Sequence, residues 1–219
     1  MGRDPKQEAE SESAADSGAP PGPLTAYRAL QREGDLRHDA GQLLAAEKLQ
    51  SLHNALRGYE PAGDGGGWKA RLGLARRKAE PPQGLYIFGG VGTGKSMLMD
   101  LFFASAPVER KRRVHFHAFM QEVQDRLHAW RQDPANKDKA DPLPVIAGEL
   151  AEEIWLLCFD EFHVVNIADA MILGRLFETL FAEGVVVVAT SNWPPDRLYE
   201  GGLQRERFLP FIDLVKQRL

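Results

Sequence analysis

The chain has 219 residues, 43% of them hydrophobic and 26% charged, the balance of an ordinary globular protein with one domain and some additions. A net charge of −4 gives no global attraction to nucleic acid or to an anionic membrane, so such a role would need a local patch. The single cysteine, Cys158, excludes an intrachain disulfide, and no apolar run approaches the roughly 20 residues that span a bilayer.

Residues 1–23 are rich in Glu, Ser, Ala and Pro and read as a disordered acidic tail, unable to bury enough surface to offset its ordering entropy. Without an apolar core it is not a secretory signal, and it is too acidic for a mitochondrial presequence. Lys6 also stands where a myristoylation motif places Ser or Thr, so the cytoplasm is the expected compartment. Residues 24–57 form a helical segment. Thr25 is its first N-cap candidate and Gly34 its first stop; Asp39 caps a second helix with Leu49, Leu52 and Leu56 on one stripe. Residues 58–82, punctuated by Gly and Pro, read as a linker.

From 83 to 219 the rhythm changes to four short apolar runs, at 85–88, 114–119, 154–159 and 185–190, with helical or mixed segments between them. Continuous apolar strands followed by helices predict an α/β fold, a parallel sheet covered by helices on both faces. Asn166 caps the clearest of those helices, whose expected inward face is Ile167, Met171, Gly174, Phe177 and Phe181.

Directly after the first run comes "GGVGTGKS": Gly89, Gly90, Val91, Gly92, Thr93, Gly94, Lys95 and Ser96. The G-x-x-x-x-G-K-[ST] spacing between a strand and a helix is a phosphate loop. Its glycines let backbone N–H groups wrap an anion at a helix N-terminus, Lys95 reaches the β and γ phosphates, and the Ser96 hydroxyl ligates Mg²⁺. The third run ends in two adjacent carboxylates, Asp160 and Glu161. Neighbouring like charges at the end of a buried strand either lie in water just beyond the core, as a solvated strand end, or share a cation; downstream of a phosphate loop, Asp160 is expected to hold Mg²⁺ through water and Glu161 to act as general base on the attacking water. Asn192, just past the fourth run, is placed to hold that water or touch the γ-phosphate; a plain turn role stays open, with Thr190 a weaker alternative. Arg207, with Arg205 close behind, is the candidate arginine finger for a neighbouring subunit; a solvated charged helix is the bland reading.

Together with "KRRVHFHAFM", "DEFHVVNIADAMIL" and "GLQRERFLPFI", these motifs resemble the ZapE-type (AFG-like) ATPases, a branch of the AAA+ P-loop superfamily containing bacterial cell-division ATPases with mitochondrial relatives. The resemblance runs from about Pro23 to Leu219. It implies ATP and Mg²⁺ as cofactors, ATP hydrolysis, a ring of identical subunits, and remodelling of protein clients, in bacteria the division protein FtsZ. It places the protein in the bacterial cytoplasm, a mitochondrial relative being the alternative. Four residues depart from the family wording: His163, Asn166, Gln124 and Trp193. The family core has a fifth strand and a C-terminal lid that the four runs do not supply. The expectation is a truncated core with the phosphate-loop strand at a sheet edge, weak nucleotide binding and poor turnover.

Two further readings stand beside an active ring ATPase: a lidless nucleotide-binding module without turnover, and a nucleic-acid-associated ATPase of the helicase-loader kind. Basic runs at 109–113 and 75–78 could form a patch for the latter, and helicase loaders share the core that the resemblance implies; the acidic balance and the lack of a DNA-reading module disfavour nucleic acid. His115 and His117 are expected two apart on one strand face, as structural residues and not metal ligands. Phe119 and Met120 hold the position of a client-gripping pore loop. "NKDK" at 136–139 lacks the last Asp of a guanine-reading motif, which favours ATP.

Overall fold

The structure, a computed structural model, describes residues 21–61, 80–136 and 141–219. Nearly all of the expected tail, most of the expected linker, the basic run at 75–78 and most of 136–139 lie outside the described residues.

Helix α1, Pro23–Glu33, starts before the expected cap at Thr25, because Pro23 is already set for a first helical turn and Gly22 takes the cap position. Gly34 ends it with φ of 88°, a conformation that favours glycine. Helix α2, Ala40–Ala55, is capped as expected: the Asp39 carboxylate accepts from the Gln42 N–H at 2.8 Å. Strand β1 (Leu85–Phe88) leads through the glycine loop to α3 (Lys95–Ser105). After β2 (Lys111–His115) come α4 (Phe116–Gln132) and α5 (Leu143–Glu153), then β3 (Leu156–Asp160). The chain goes on through α6 (Ile167–Ala182), β4 (Val186–Ser191) and two 3₁₀ turns to α7 (Leu209–Arg218).

Every strand pair is parallel and the order is β1-β4-β3-β2, so β1 is an edge of this four-stranded sheet among the described residues. The unbroken apolar character of β3 and β4 follows from burial on both faces. Leu157, Phe159, Val187 and Ala189 enter a core shared with α4, α5, α6 and α7. Their neighbours Leu156, Cys158, Val186 and Val188 enter a second core with α1, α2 and α3. Residues 24–57 are therefore part of the second core: Tyr27, Leu49 and Leu56 have no exposure. Within the expected linker, Tyr59 is also buried, its hydroxyl donating to the Gly184 carbonyl at 2.6 Å.

The second run is a strand only to His115, and Phe116 opens α4 without a loop. The side chains of Phe116, Phe119, Met120, Val123 and Leu127 recur at helical spacing, and that period overrides the short apolar stretch. His115 and His117 therefore do not share a strand face. For the same reason Phe119 and Met120 line no pore: they are 0% and 1% exposed, with the Phe119 ring edge-on to Phe159 at 5.0 Å. On α6 the buried face runs through Ala170, Leu173, Leu176, Phe177, Leu180 and Phe181, leaving Ile167, Met171 and Gly174 at its flank.

The basic run at 109–113 is bound up within the molecule. Arg110 donates to the Glu152 carbonyl and lies over Trp155, Lys111 donates to the Phe103 carbonyl at 2.7 Å, and Arg112 pairs with Glu122. Charge along an edge strand such as β2 also discourages pairing with another chain.

Candidate functional site

In a parallel sheet all carboxyl ends lie at one edge, and the loops leaving them converge there. The strand order puts β4 between β1 and β3, so residues at its end stand between the phosphate loop and the paired carboxylates. The phosphate loop is anchored to that neighbour: the Gly89 N–H donates to the Ser191 carbonyl at 3.2 Å. Gly92 and Gly94 have φ of 79° and 83°, which an L side chain resists, and Gly94 caps the start of α3. Lys95 folds back over the loop, its ammonium donating to the carbonyls of Gly89 at 2.8 Å and Gly90 at 2.7 Å. Partial burial lowers its pKa from the ordinary lysine value. Helix α2 closes one side, where the Gln42 amide donates to the Thr93 carbonyl at 3.2 Å. Between α2, the open edge of β1 and this loop lies a cleft of about 380 Å³, with Leu44, Ala45 and Ile87 on its apolar wall and Asp39, Gln42 and Lys95 among its polar groups.

The adjacent carboxylates are kept apart by their environments. Asp160 ends β3 and takes a forked pair from Arg113, Nε to Oδ2 at 2.7 Å and Nη2 to Oδ1 at 3.1 Å. Glu161 follows in a left-handed conformation, φ 54°, that turns the chain sharply and leaves it exposed. For a non-glycine residue this costs about 1–2 kcal/mol, and such strain persists only where surroundings impose it. Here two neighbours do. The Thr190 hydroxyl accepts from the Glu161 N–H and donates to the Phe159 carbonyl, both at 3.3 Å. Phe162, 1% exposed, is packed among the rings of Phe116, Phe159, Phe177 and Phe211.

Asn192 is exposed one residue beyond β4, while Ser191 turns inward to donate to the Phe162 carbonyl at 2.8 Å. The two candidate finger arginines are sorted by their contacts. Arg205 donates through Nη2 to the Asp196 carbonyl at 2.6 Å, and its Nε is buried without a partner among the described residues. Arg207, on the same 3₁₀ turn, is exposed. Ser96 is exposed at the first turn of α3.

A model of the AFG1-like ATPases matches residues 22–219. The chain belongs to that family. It is 46% identical over 201 residues to the cell division protein ZapE of Escherichia coli, covering 89% of this chain and 52% of that protein. It is 55% identical over 145 residues to lactation elevated protein 1 homolog B of Danio rerio, covering 64% of this chain and 29% of that protein. The chain thus spans about half, or less, of the length of these relatives. The crystal structure of DnaI superposes with a TM-score of 0.52 at 17% identity, over 87% of this chain and 88% of that one, a likeness of fold alone. The fold is the α/β P-loop fold of the AAA+ proteins.

The four residues expected to depart from the family wording each have a partner in the structure. His163 and Trp193 stack on each other, ring centres 4.5 Å apart and 21° from parallel. Gln124 donates to the Asp169 carboxylate at 2.6 Å, and Asn166 caps α6 by accepting from the Ala168 N–H at 2.9 Å. Sequence reasoning missed Arg113, Phe162 and the positioning by Thr190. Arg113 is placed by the fold: in register with Cys158, it lies on the same sheet face as Cys158 and Asp160.

Thr190→Val keeps the volume and removes both hydroxyl bonds, leaving the Glu161 N–H and Phe159 carbonyl short of a partner. A loss of about 1–3 kcal/mol in unfolding free energy is expected. Urea denaturation beside the wild type reads the loss.

Proposed function

We propose that the chain binds Mg-ATP in the crevice at the carboxyl ends of β1, β4 and β3 and hydrolyses it, coupling hydrolysis to remodelling of a protein client. The observation that carries this is the convergence of a glycine phosphate loop, the Asp160–Glu161 pair and Asn192 on one end of one parallel sheet. Gly89 to Ser96 cradle the phosphates with backbone N–H groups at the start of α3. Lys95 exchanges the Gly89 and Gly90 carbonyls for β and γ phosphate oxygens, and the base and sugar lie in the cleft beside β1. Ser96 and Asp160 would hold Mg²⁺, which would offset phosphate charge when bound. These hard oxygens suit magnesium, which keeps several waters and needs no cage of protein ligands, and the described residues contain no group of three or more His, Cys, Asp or Glu able to hold a metal. Glu161, turned to solvent beside this pair, takes a proton from the attacking water as general base, and Asn192 positions that water or the γ-phosphate. Arg207 is the finger offered to a neighbouring subunit, with Arg205 holding its turn in place.

The cellular setting we propose is supported by the likeness to a relative named cell division protein in Escherichia coli. That printed name supports a role in cell division; FtsZ as the client, a ring assembly and the bacterial cytoplasm are proposed from the motif resemblance alone. Among the described residues no helix is long and apolar enough to cross a membrane. Light scattering with ATP and Mg²⁺ against ADP tests the reading: assembly above monomer mass with ATP is expected. A monomer that binds ATP without turning it over would favour the binding module, and DNA binding that weakens with salt would favour the loader.

A further inference from the structure

We infer that Arg113 is a positioning residue of the magnesium site, holding the Asp160 carboxylate at a fixed orientation and distance from the helix that carries Ser96. The inference rests on the Mg-ATP reading above and adds to it a group outside the phosphate loop and the carboxylate pair.

The geometry is a three-point bridge. Two donors of the Arg113 guanidinium, Nε and Nη2, meet the two oxygens of Asp160 at 2.7 and 3.1 Å. The third, Nη1, pairs with Asp100 on α3. Asp100 is four residues beyond Ser96 and so lies on the same side of that helix. Arg113 therefore links a residue one turn below one metal-binding oxygen to the carboxylate that supplies the other. Its strand places it for this, because parallel register sets Arg113 opposite Cys158, on the sheet face that packs with Met99 and Phe102 of α3.

The chemistry of the fork fits holding and not replacement of the ion. Each carboxylate oxygen has two acceptor positions, and Arg113 uses one on each, leaving one on each for a water in the coordination shell. A planar guanidinium also fixes the plane of the carboxylate, which an ammonium cannot do. The opposing effect is electrostatic: a fixed cation beside Asp160 repels a second one. Orientation and repulsion predict opposite responses to removing Arg113, which makes the inference decidable.

The test titrates Mg²⁺ into the chain with a fluorescent ATP analogue and reads bound nucleotide, for wild type, Arg113→Ala, Arg113→Lys and Asp100→Asn. Positioning predicts that the Mg²⁺ needed for half-maximal binding rises about tenfold in Arg113→Ala, the size typical of losing a second-layer partner of a metal ligand. A smaller rise is expected in Arg113→Lys and in Asp100→Asn, while binding in EDTA stays equal in all four. An unchanged or lowered Mg²⁺ requirement in the variants overturns the inference and leaves the nucleotide site standing. A wild type whose nucleotide binding ignores Mg²⁺ overturns both. Asp100 is 65% exposed at its side chain, so Asp100→Asn decides the question even if Arg113→Ala does not fold.

Discussion

Glu161→Gln is expected to lower ATP turnover about 10²–10⁴-fold, the range for losing a general base, with nucleotide affinity unchanged. Gln keeps the size and the hydrogen-bonding reach of Glu and loses only the capacity to take the proton. The backbone argues that this variant is clean. Residue 161 sits at φ 54° because Thr190 and the buried ring of Phe162 hold the turn, and neither contact uses the Glu161 carboxylate. Gln meets the same steric cost there as Glu, so stability should not move. Steady-state hydrolysis beside equilibrium binding of an ATP analogue reads the result. Turnover retained in Glu161→Gln would assign the base elsewhere, and turnover absent from both proteins with binding intact would identify a nucleotide-binding module.

The parts of this site that were legible in the sequence are those written in contiguous residues. The loop from Gly89 to Ser96 has to be spelled in order, because its function is a local backbone path, and the same holds for the Asp39 and Asn166 caps. Strands β3 and β4 were legible because burial on two faces demands an unbroken apolar run. Strand β2 was misjudged because it obeys another rule: as an edge strand it opens with Lys111, Arg112 and Arg113, whose charged ends find partners on α3 and α4. The apolar stretch that looked like its continuation is already the inward stripe of α4. The two carboxylates were read as sharing a metal ion, with a solvated strand end as the alternative. The nearest cation in the structure is the Arg113 guanidinium, which is 47 residues from Asp160 in sequence and reaches it only through the pairing of β2 with β3. Contacts made by sheet register are invisible until the strand order is known.

The same distinction between local and assembled chemistry governs the arginines. Arg205 and Arg207 look equivalent in "RERF", and only the fold separates them: Arg205 is tied to the Asp196 carbonyl while Arg207 is exposed on the same 3₁₀ turn. A residue that acts on a neighbour's γ-phosphate has to be free to leave its own subunit. Arg207→Ala is accordingly expected to lower turnover about 10³-fold, the lower end of what an arginine finger supplies, with nucleotide affinity and thermal stability held. Arg205→Ala is expected to act mainly on stability, by releasing the turn that presents Arg207. Mixing decides whether the arginine works across an interface. Arg207→Ala subunits retain Glu161, and Glu161→Gln subunits retain Arg207, so in a head-to-tail ring about one site in four would combine both intact groups at equal, random mixing. Two inactive proteins that recover turnover on mixing would place Arg207 in its neighbour's site. Recovery with Arg205→Ala in its stead would make Arg205 the finger, and no recovery with either would confine both residues to their own subunit.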